Sequence, residues 1–206
     1  MKGFFITGTD TNVGKTYIAA MLVRALRGAG ERAVGFKPIC CGDRDDAEAL
    51  AVASELAVNE VNPVWLRPPV APYTASMIEG RIIDLALIRE TFARLAAANT
   101  VIVEGAGGWL VPVEREYSMA DMAAEFALPV IVVVANRLGC INHALLTIQA
   151  IHAAGLKCAG IILNHTSTAD DAAVVTNRAV LEEIAGVPML GEIAHGQTEM
   201  KPLYPK

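Results

Sequence analysis

The chain has 206 residues and a formal net charge of −5, with 53% hydrophobic and 19% charged residues. This length and apolar content predict a globular chain with one sizeable core and exclude a disordered protein. Because a general nucleic-acid-binding protein needs a basic face, and a membrane span needs about 20 apolar residues, we expect neither partner. We expect a cytoplasmic protein with its four cysteines reduced.

Short apolar runs rich in β-branched residues alternate along the chain with helical patterns. Strands are predicted at residues 3–7, 33–37, 100–104, 130–135, 159–164 and 189–193. Helices are predicted at residues 15–28, 46–56, 85–97, 119–126, 142–154 and 171–184. Strands that are apolar on both faces need cover on both sides, so the pattern predicts a three-layer α/β fold with a mostly parallel central sheet. No linker is evident, and residues 1–206 are treated as a single domain.

The first predicted strand leads into the loop "GTDTNVGKT", residues 8–16, at the start of the first helix. The usual phosphate loop reads G-x-x-x-x-G-K-[ST], which would require glycine where this chain has Thr9. Backbone N–H groups of such a loop hold phosphate oxygens, while Lys15 would lie along the phosphates and Thr16 would bind Mg²⁺. Since Lys15 and Thr16 are in register, we expect ATP binding and a P-loop NTPase-like fold.

Polar residues also end the second and third strands, at the edge where ligands bind in open α/β sheets. Lys37 would either add a cation beside the phosphates or be an ordinary solvated lysine on the surface. Glu104 ends an apolar strand and is followed by "GAGG", so we expect this carboxylate to be paired or bound to metal. Mg²⁺ takes oxygen ligands and one or two carboxylates, which makes Glu104 and Asp46 candidates. Asp46 could instead serve only as the N-cap of the following helix.

Two later segments could contact ligands. The run "LGCIN", residues 138–142, begins a helix whose free N–H groups could hold a carboxylate. Cys140 there is either a packing residue or a thiol with a lowered pKa. Asn164 could contact a nucleotide base or cap the next turn.

The stretch 59–83 contains four prolines, and we expect it to be irregular and to be functional or at an interface.

Together these motifs resemble the dethiobiotin synthetase family. The matching segments are "GTDTNVGKT", "GFKPICCG", "DDAEAL", "VEGAGGWLVP", "LPVIVVVANRLGCINHALLT", "LNHT" and "LGEI", which cover nearly the whole chain in this order. The loop combined with "VEGAGG" and "LGCINHALLT" is highly specific. The resemblance implies that the shifted glycine is this family's own form of the phosphate loop.

The resemblance implies an ATP- and Mg²⁺-dependent cyclo-ligase of biotin biosynthesis acting on 7,8-diaminopelargonic acid (7,8-diaminononanoate). One amine would take up CO₂, supplied as bicarbonate, to give a carbamate, and ATP would convert the carbamate to a carbamic-phosphoric anhydride. The second amine would then close the ring of dethiobiotin, with ADP and phosphate released. The family also implies a homodimer whose partner subunit contributes to the substrate site.

The resemblance further assigns roles to residues. The catalytic residues would be Lys37 and Lys15, and the metal ligands Thr16, Asp46 and Glu104. The ATP site would comprise Asn12, Val13, Gly14, Lys15, Thr16, Tyr17, Asp46, Glu104, Gly105, Ala106, Gly107 and Asn164. The substrate site would comprise Thr11, Lys37, Cys41, Gly139, Cys140, Ile141 and Asn142. Residues near 194–196 would close over the adenine.

The chain departs from the family pattern in two residues and two lengths. Cys41 replaces the usual Ser or Thr and is a weaker hydrogen-bond partner, and Asn12 replaces a frequent Glu. Residues 42–46 form a shorter segment than the family pattern implies, so Asp45 is the alternative to Asp46 as the metal ligand. The tail after Ile193 is also abbreviated, so contacts to adenine near residues 194–199 stay open.

Three other functions compete with the synthetase. A ParA/MinD-like switch ATPase would typically carry a second lysine near the start of the loop, where this chain has Thr9, Asp10 and Thr11. A glutamine-dependent amidotransferase would need an additional glutaminase domain. A non-catalytic dimeric binding module would not require both Lys37 and Glu104, so the presence of both residues argues against this function.

Overall fold

The computed structural model describes residues 2–168 and 171–203. In chain order the elements are β1 (Gly3–Gly8), α1 (Lys15–Gly28), β2 (Ala33–Phe36), β3 (Ile39–Cys41), α2 (Asp45–Ser54), α3 (Val58–Val61), β4 (Val64–Leu66), α4 (Pro72–Glu79), α5 (Leu85–Ala96), β5 (Thr100–Gly108), β6 (Pro112–Glu114), β7 (Tyr117–Ser118), α6 (Met119–Phe126), β8 (Val130–Ala135), α7 (Cys140–Ala153), β9 (Cys158–Asn164), α8 (Ala172–Ile184) and β10 (Met189–Ile193). Within the two described ranges, no helix has the length and apolar character that a bilayer crossing requires.

Among the described residues, six strands form a central sheet in the order β10-β9-β8-β1-β5-β2. Every neighbouring pair in it runs parallel. The chain passes from β1 to β2 on one side and later from β5 to β8 on the other, so the strand order reverses beside β1. Such a reversal opens a crevice at the carboxyl ends of the strands. The predicted α/β architecture is confirmed, with a wholly parallel central sheet.

The two faces of the sheet pack against different helices. In β1, Phe4 and Ile6 lie in one apolar cluster with residues of α1 and α2. Phe5, between them, points to the other face and lies in a second cluster with residues of α5, α6 and α7. Successive side chains of a strand point to opposite faces, so this arrangement requires a strand that is apolar throughout. The resulting helix–sheet–helix layers explain the continuous apolar runs in the sequence.

The predicted elements occur at the expected places, with some ends shifted. The ranges predicted at 15–28, 119–126, 130–135 and 189–193 match α1, α6, β8 and β10 at both ends. The strand predicted at 100–104 is longer and continues as β5 to Gly108. Its glycine-rich end stays beside β1, where Gly8 pairs with Gly108. α7 begins two residues earlier than predicted, immediately after Gly139.

The expectation that residues 59–83 are irregular is wrong. This stretch contains the end of α3, the strand β4 and the helix α4, and β4 pairs with β3 in a separate parallel ladder. The prolines lie where regular structure tolerates them. Pro63 precedes β4, and Pro72 is the first residue of α4, a position whose N–H needs no helical partner.

Candidate active site

The carboxyl ends of β1, β2 and β5 meet at a cleft of about 690 Å³. Many of the residues singled out from the sequence line it, namely Thr11, Asn12, Gly14, Lys15, Thr16, Tyr17, Lys37, Cys41, Asp46, Glu104, Ala106 and Gly107. Residues 69–72, from the proline-rich stretch, also line the cleft. The strands bring these positions together because parallel strands end at the same edge of a sheet.

The phosphate loop folds tightly over Gly8. A Cβ atom at Gly8 would lie 2.6 Å from Val13 Cγ2 and 2.9 Å from the Asp10 carbonyl oxygen. Val13 is only 1% exposed, so it has little room to retreat. At the neighbouring position, the Thr9 N–H donates to the Val133 carbonyl at 3.1 Å. The path of the chain therefore requires glycine one residue earlier than in the usual loop.

Asn164 supports the underside of this loop. Its side chain is buried at the end of β9, and its Nδ2 donates to the Val13 carbonyl at 2.9 Å. A Cβ atom at Gly14 would lie 2.2 Å from the same Nδ2, and Gly14 has a left-handed φ of 93°. Asn12, with φ 58°, is also left-handed. One N–H of the Asn164 amide thus binds the phosphate loop and does not cap a following turn.

Lys15 is a buried cation at the first turn of α1. Its Nζ donates to the Asp10 carbonyl at 2.9 Å, so a main-chain oxygen of the loop holds the ammonium group. Burial lowers the pKa of Lys15 to about 8, although the Glu104 carboxylate acts in the opposite direction. A desolvated ammonium of this kind is stabilised by an anion, which makes the loop suited to phosphate groups.

Lys37 lies between two carboxylates at the floor of the cleft. Its Nζ is 2.6 Å from Glu104 Oε1 and 2.7 Å from Asp46 Oδ2. Burial acts to lower the pKa of Lys37, but Glu104 and Asp46 outweigh it and raise the pKa above its usual range. Burial raises the pKa of Glu104 despite Lys37, whereas Lys37 lowers the pKa of Asp46 against the effect of burial. Lys37 is therefore a fixed positive charge.

Thr16 joins the same two carboxylates. Its hydroxyl lies 2.6 Å from Asp46 Oδ1 and 2.8 Å from Glu104 Oε1, and its single proton can serve only one of them. No hydrogen-bond partner for the buried Glu104 Oε2 is found in the described part of the chain. Three oxygen-bearing side chains with an unsatisfied carboxylate oxygen form a donor set that fits Mg²⁺.

The main chain of Lys37 is held by residues that the sequence analysis did not single out. The Lys37 N–H donates to the Val61 carbonyl at 2.8 Å, and the Lys37 carbonyl accepts from Asn62 Nδ2 at 2.8 Å. The one sequence signal was the Asn62-Pro63 pair, which predicts a turn but not this contact.

Comparison with known proteins identifies the family. A family model described as an AAA domain matches residues 2–200. The ATP-dependent dethiobiotin synthetase of Akkermansia muciniphila is 48% identical over 203 residues, covering 97% of this chain and 95% of that protein. The chain belongs to the dethiobiotin synthetase family. The synthetase of Aromatoleum aromaticum is 43% identical, with 94% of this chain and 91% of that protein covered.

Solved structures share the fold of this family member at much lower identity. The septum site-determining protein MinD from Pyrococcus horikoshii, complexed with Mg-ADP, has a TM-score of 0.59 and 17% identity, over 94% of this chain and 82% of that one. A ParA family ATPase from Chlorobium tepidum has a TM-score of 0.55 and 14% identity, over 94% of this chain and 84% of that one. These likenesses show a P-loop NTPase fold and no more.

The start of α7 lies outside the cleft lining of this dethiobiotin synthetase family member. Gly139, with φ 89°, precedes the helix and has no side chain to cap its first turn. Cys140 is 2% exposed and packs in the core, and burial raises the pKa of its thiol. Of the two interpretations of Cys140, the packing residue is right and the thiol with a lowered pKa is wrong. Arg137, just before this turn, pairs with Asp10 of the phosphate loop at 3.4 Å.

Cys41 is the partly exposed thiol of the cleft. All four cysteines lie within the described ranges as free thiols, and Cys40, Cys140 and Cys158 are buried whereas Cys41 is half-buried. Burial raises the pKa of Cys41 to about 11. The side chain therefore stays a neutral thiol near neutral pH.

We expect iodoacetamide to modify Cys41 before the other cysteines, because its thiol is the most accessible. The modification should be slow, because the raised pKa keeps the fraction of reactive thiolate small. Below its pKa the rate should rise about tenfold per pH unit, as the thiolate fraction does. Peptide mapping by mass spectrometry would identify the modified cysteine. Earlier modification of any of the three buried cysteines would contradict this assignment.

Proposed function

We propose that this chain, as one domain spanning residues 1–206, is an ATP- and Mg²⁺-dependent dethiobiotin synthetase. It converts 7,8-diaminopelargonic acid, CO₂ and ATP into dethiobiotin, ADP and phosphate. The observation that carries the proposal is Lys37, a buried cation fixed between Glu104 and Asp46 beside the phosphate loop. Family membership supplies the substrate, and this arrangement supplies charges suited to phosphoryl transfer.

The reaction proceeds in three steps. One amine nitrogen bonds to the carbon of CO₂ and loses a proton, giving a carbamate. A carbamate oxygen then bonds to the γ-phosphorus of ATP as the bond to ADP breaks. Finally the second amine bonds to the carbamate carbon, loses a proton and expels phosphate, which closes the ring. Each step concentrates negative charge on oxygen atoms, so positive groups held in place are what the site must provide.

Two lysines provide these charges. Lys15 and the N–H groups at the start of α1 face the phosphates of ATP, and Lys15 is stabilised as a cation when phosphate approaches. Lys37 lies deeper, at the end of β2, and is assigned to the carbamate and its phosphorylated form. Because both ammonium groups are already held by oxygen atoms of the chain, they need little reorganisation as charge develops.

Mg²⁺ would be held by Thr16, Asp46 and Glu104. When bound, it neutralises charge on phosphate oxygens. The Oε2 of Glu104, which has no hydrogen-bond partner among the described residues, and the oxygen-only donor set support this assignment. In the ATP site, Asn12, Val13, Gly14 and Tyr17 would contact the phosphates and Gly105, Ala106 and Gly107 would approach through their main chain. Asn164 would turn its remaining amide atoms toward adenine.

We assign the active form to a cytoplasmic homodimer. Thr11, Lys37 and Cys41 would face the diamine within one subunit. The carboxylate of the diamine would be held by the start of α7 of the partner chain, formed by Gly139, Cys140, Ile141 and Asn142. Two observations support a substrate site shared between subunits. The start of α7 lies outside the cleft of its own chain, and the adjacent Leu138 is 82% exposed.

We expect the purified chain to consume ATP only when 7,8-diaminopelargonic acid and bicarbonate are both present. Phosphate release would be followed together with dethiobiotin by mass spectrometry, in equal amounts. Omitting the diamine is the control, because a switch ATPase of the ParA/MinD kind needs no small-molecule acceptor. Equal phosphate release without the diamine would reject the synthetase and favour that alternative.

A further inference from the structure

A buried amide lies behind Lys37 that the proposed reaction does not use directly. Asn62 is 2% exposed and sits between α3 and β4. Its Nδ2 donates to the carbonyls of Lys37 at 2.8 Å and Val64 at 2.9 Å. Its Oδ1 accepts from Arg44 Nε at 3.0 Å and Arg44 Nη2 at 2.9 Å. Only acceptors face the nitrogen and only donors face the oxygen, so the orientation of the amide is unambiguous.

Lys37 needs such support because the central sheet no longer holds it. The pairing of β2 with β5 ends at Phe36, one residue before Lys37. Pro38, one residue after, has no N–H to donate. Instead, the Lys37 N–H donates to the Val61 carbonyl, and the Lys37 carbonyl accepts from the side chain of Asn62.

Arg44 links Asn62 to α2, the helix that carries the Asp46 carboxylate. It precedes α2, whose second residue is Asp46, and its guanidinium lies 5.3 Å from the centre of the Trp65 ring. Arg44 Nη2 also donates to the main-chain carbonyl of Asn62 at 3.0 Å. The main chain of Lys37 is thus tied through Asn62 and Arg44 to the helix that presents Asp46, and Asp46 binds the Lys37 ammonium at 2.7 Å.

We propose that Asn62 is a positioning residue for Lys37, acting through the Lys37 main chain, with Arg44 fixing the orientation of its amide. This inference rests on the proposed function. A lysine side chain is long and flexible, so the place of its ammonium depends on a fixed main chain as well as on its carboxylate partners. Misplacing a reacting group by about 1 Å costs about 100-fold in rate.

Asn62→Asp is the sharpest test, because it is isosteric, keeps acceptors for Arg44 and removes the two donors to the carbonyls of Lys37 and Val64. Asn62→Leu removes all four hydrogen bonds. For both variants we expect kcat per folded molecule to fall about 10- to 100-fold. The KM for ATP should change less than about threefold, because the phosphate loop is untouched. A purely structural role would lower the folded fraction and leave kcat per folded molecule unchanged.

Asn59→Ala is the matched control. Asn59 also accepts from Arg44, through Nη1 at 3.0 Å, but this exposed bond does not involve Lys37. Its kcat should stay within about twofold of wild type. Arg44→Met keeps Asn62 itself and removes the Arg44 bonds to its amide oxygen and main-chain carbonyl, together with the exposed bond to Asn59 that the control covers. We expect kcat to fall about three- to tenfold. This variant decides the matter if neither Asn62 variant folds.

The outcomes distinguish a chain that is not a synthetase from a synthetase in which Asn62 does not position Lys37. Wild-type protein without diamine-dependent turnover would reject the proposed function and the role of Asn62 with it. Active wild type combined with unchanged kcat in the folded Asn62 variants, or in Arg44→Met where those do not fold, would reject the positioning role alone. A KM for ATP that rises as much as kcat falls would also reject it, since the whole site would then be disturbed.

Discussion

Lys37→Ala should reduce dethiobiotin formation by at least about 100-fold, the scale found when one preorganised charge-stabilising group is removed from an active site. Lys37 is the deeper of the two cations of the cleft, and its Nζ is held within 2.7 Å of both carboxylates. ATP binding should be much less affected, because Lys15 and the loop remain. Rate and KM for ATP would be measured together, and near-normal turnover would overturn the central role assigned to Lys37.

The same substitution should also destabilise the chain in a pH-dependent way. Without Lys37, the fully buried Glu104 loses its counter-charge, and the pKa of Glu104 rises further above its ordinary value of 4.5. Above about pH 4.5 the folded variant then holds a proton that the unfolded chain releases, so its free energy of unfolding falls as pH rises. Breaking a buried pair on one side costs about 3–5 kcal/mol, so the variant still folds but with a reduced margin.

The double variant Lys37→Ala/Glu104→Gln is the matched control. It removes both buried charges, and Asp46 is 44% exposed and tolerates the loss of its partner. Urea unfolding at pH 5 and at pH 8 should show a larger loss for Lys37→Ala at pH 8, and the double variant should recover most of it. Turnover should stay abolished in both. Equal stability of Lys37→Ala at the two pH values would show that Glu104 is not the group left unpaired.

Gly8→Ala should weaken ATP binding by about 5- to 150-fold, the factor that corresponds to the cost of about 1–3 kcal/mol for forcing a methyl group into a packed site. The added Cβ would lie 2.6 Å from Val13 Cγ2 and 2.9 Å from the Asp10 carbonyl, so the loop must move. Asp10 also holds the Lys15 ammonium, and that movement would shift the cation as well. Titration calorimetry with a non-hydrolysable ATP analogue would measure the affinity.

Thr9→Ala is the control for this prediction. Position 9 is where the usual phosphate loop has its first glycine, and Thr9 uses its main chain to bind Val133. We expect its affinity for the analogue to stay within about twofold of wild type. The opposite ranking, with Gly8→Ala tolerated and Thr9→Ala impaired, would show that this loop follows the usual geometry.

The sequence predicted the layers of the fold because its signals there are local and repeated. Apolar runs such as residues 130–135 and the switch to a helical period at Lys15 need no knowledge of distant residues. The convergence of Lys15, Lys37 and Glu104 could also be anticipated, since Lys15 and Lys37 follow parallel strands and Glu104 lies in β5, a third strand of the same sheet. Parallel strands end at the same edge of the sheet, so the three residues can be expected to meet although they are far apart in the sequence.

What the sequence could not give depends on contacts between distant segments. The four prolines from Pro63 to Pro72 suggested an irregular stretch, yet residues 59–83 supply a strand, a helix and the amide of Asn62. Asn164 could be read as a base contact or a cap, but its bond to Val13 spans 151 residues. The pKa of Cys140 depended on whether the helix start is exposed, which only the packing reveals.

The place of β1 in the sheet has a consequence for synthesis of the chain on the ribosome. β1 pairs with β5 and β8, and the edge strand β2 pairs with β5. Among the described residues, β1 and β2 therefore have no partner in the central sheet until Thr100–Gly108 has been translated and released. At about 5–20 residues per second, they wait on the order of 5 to 20 seconds, during which their apolar faces are accessible to chaperones and to other nascent chains.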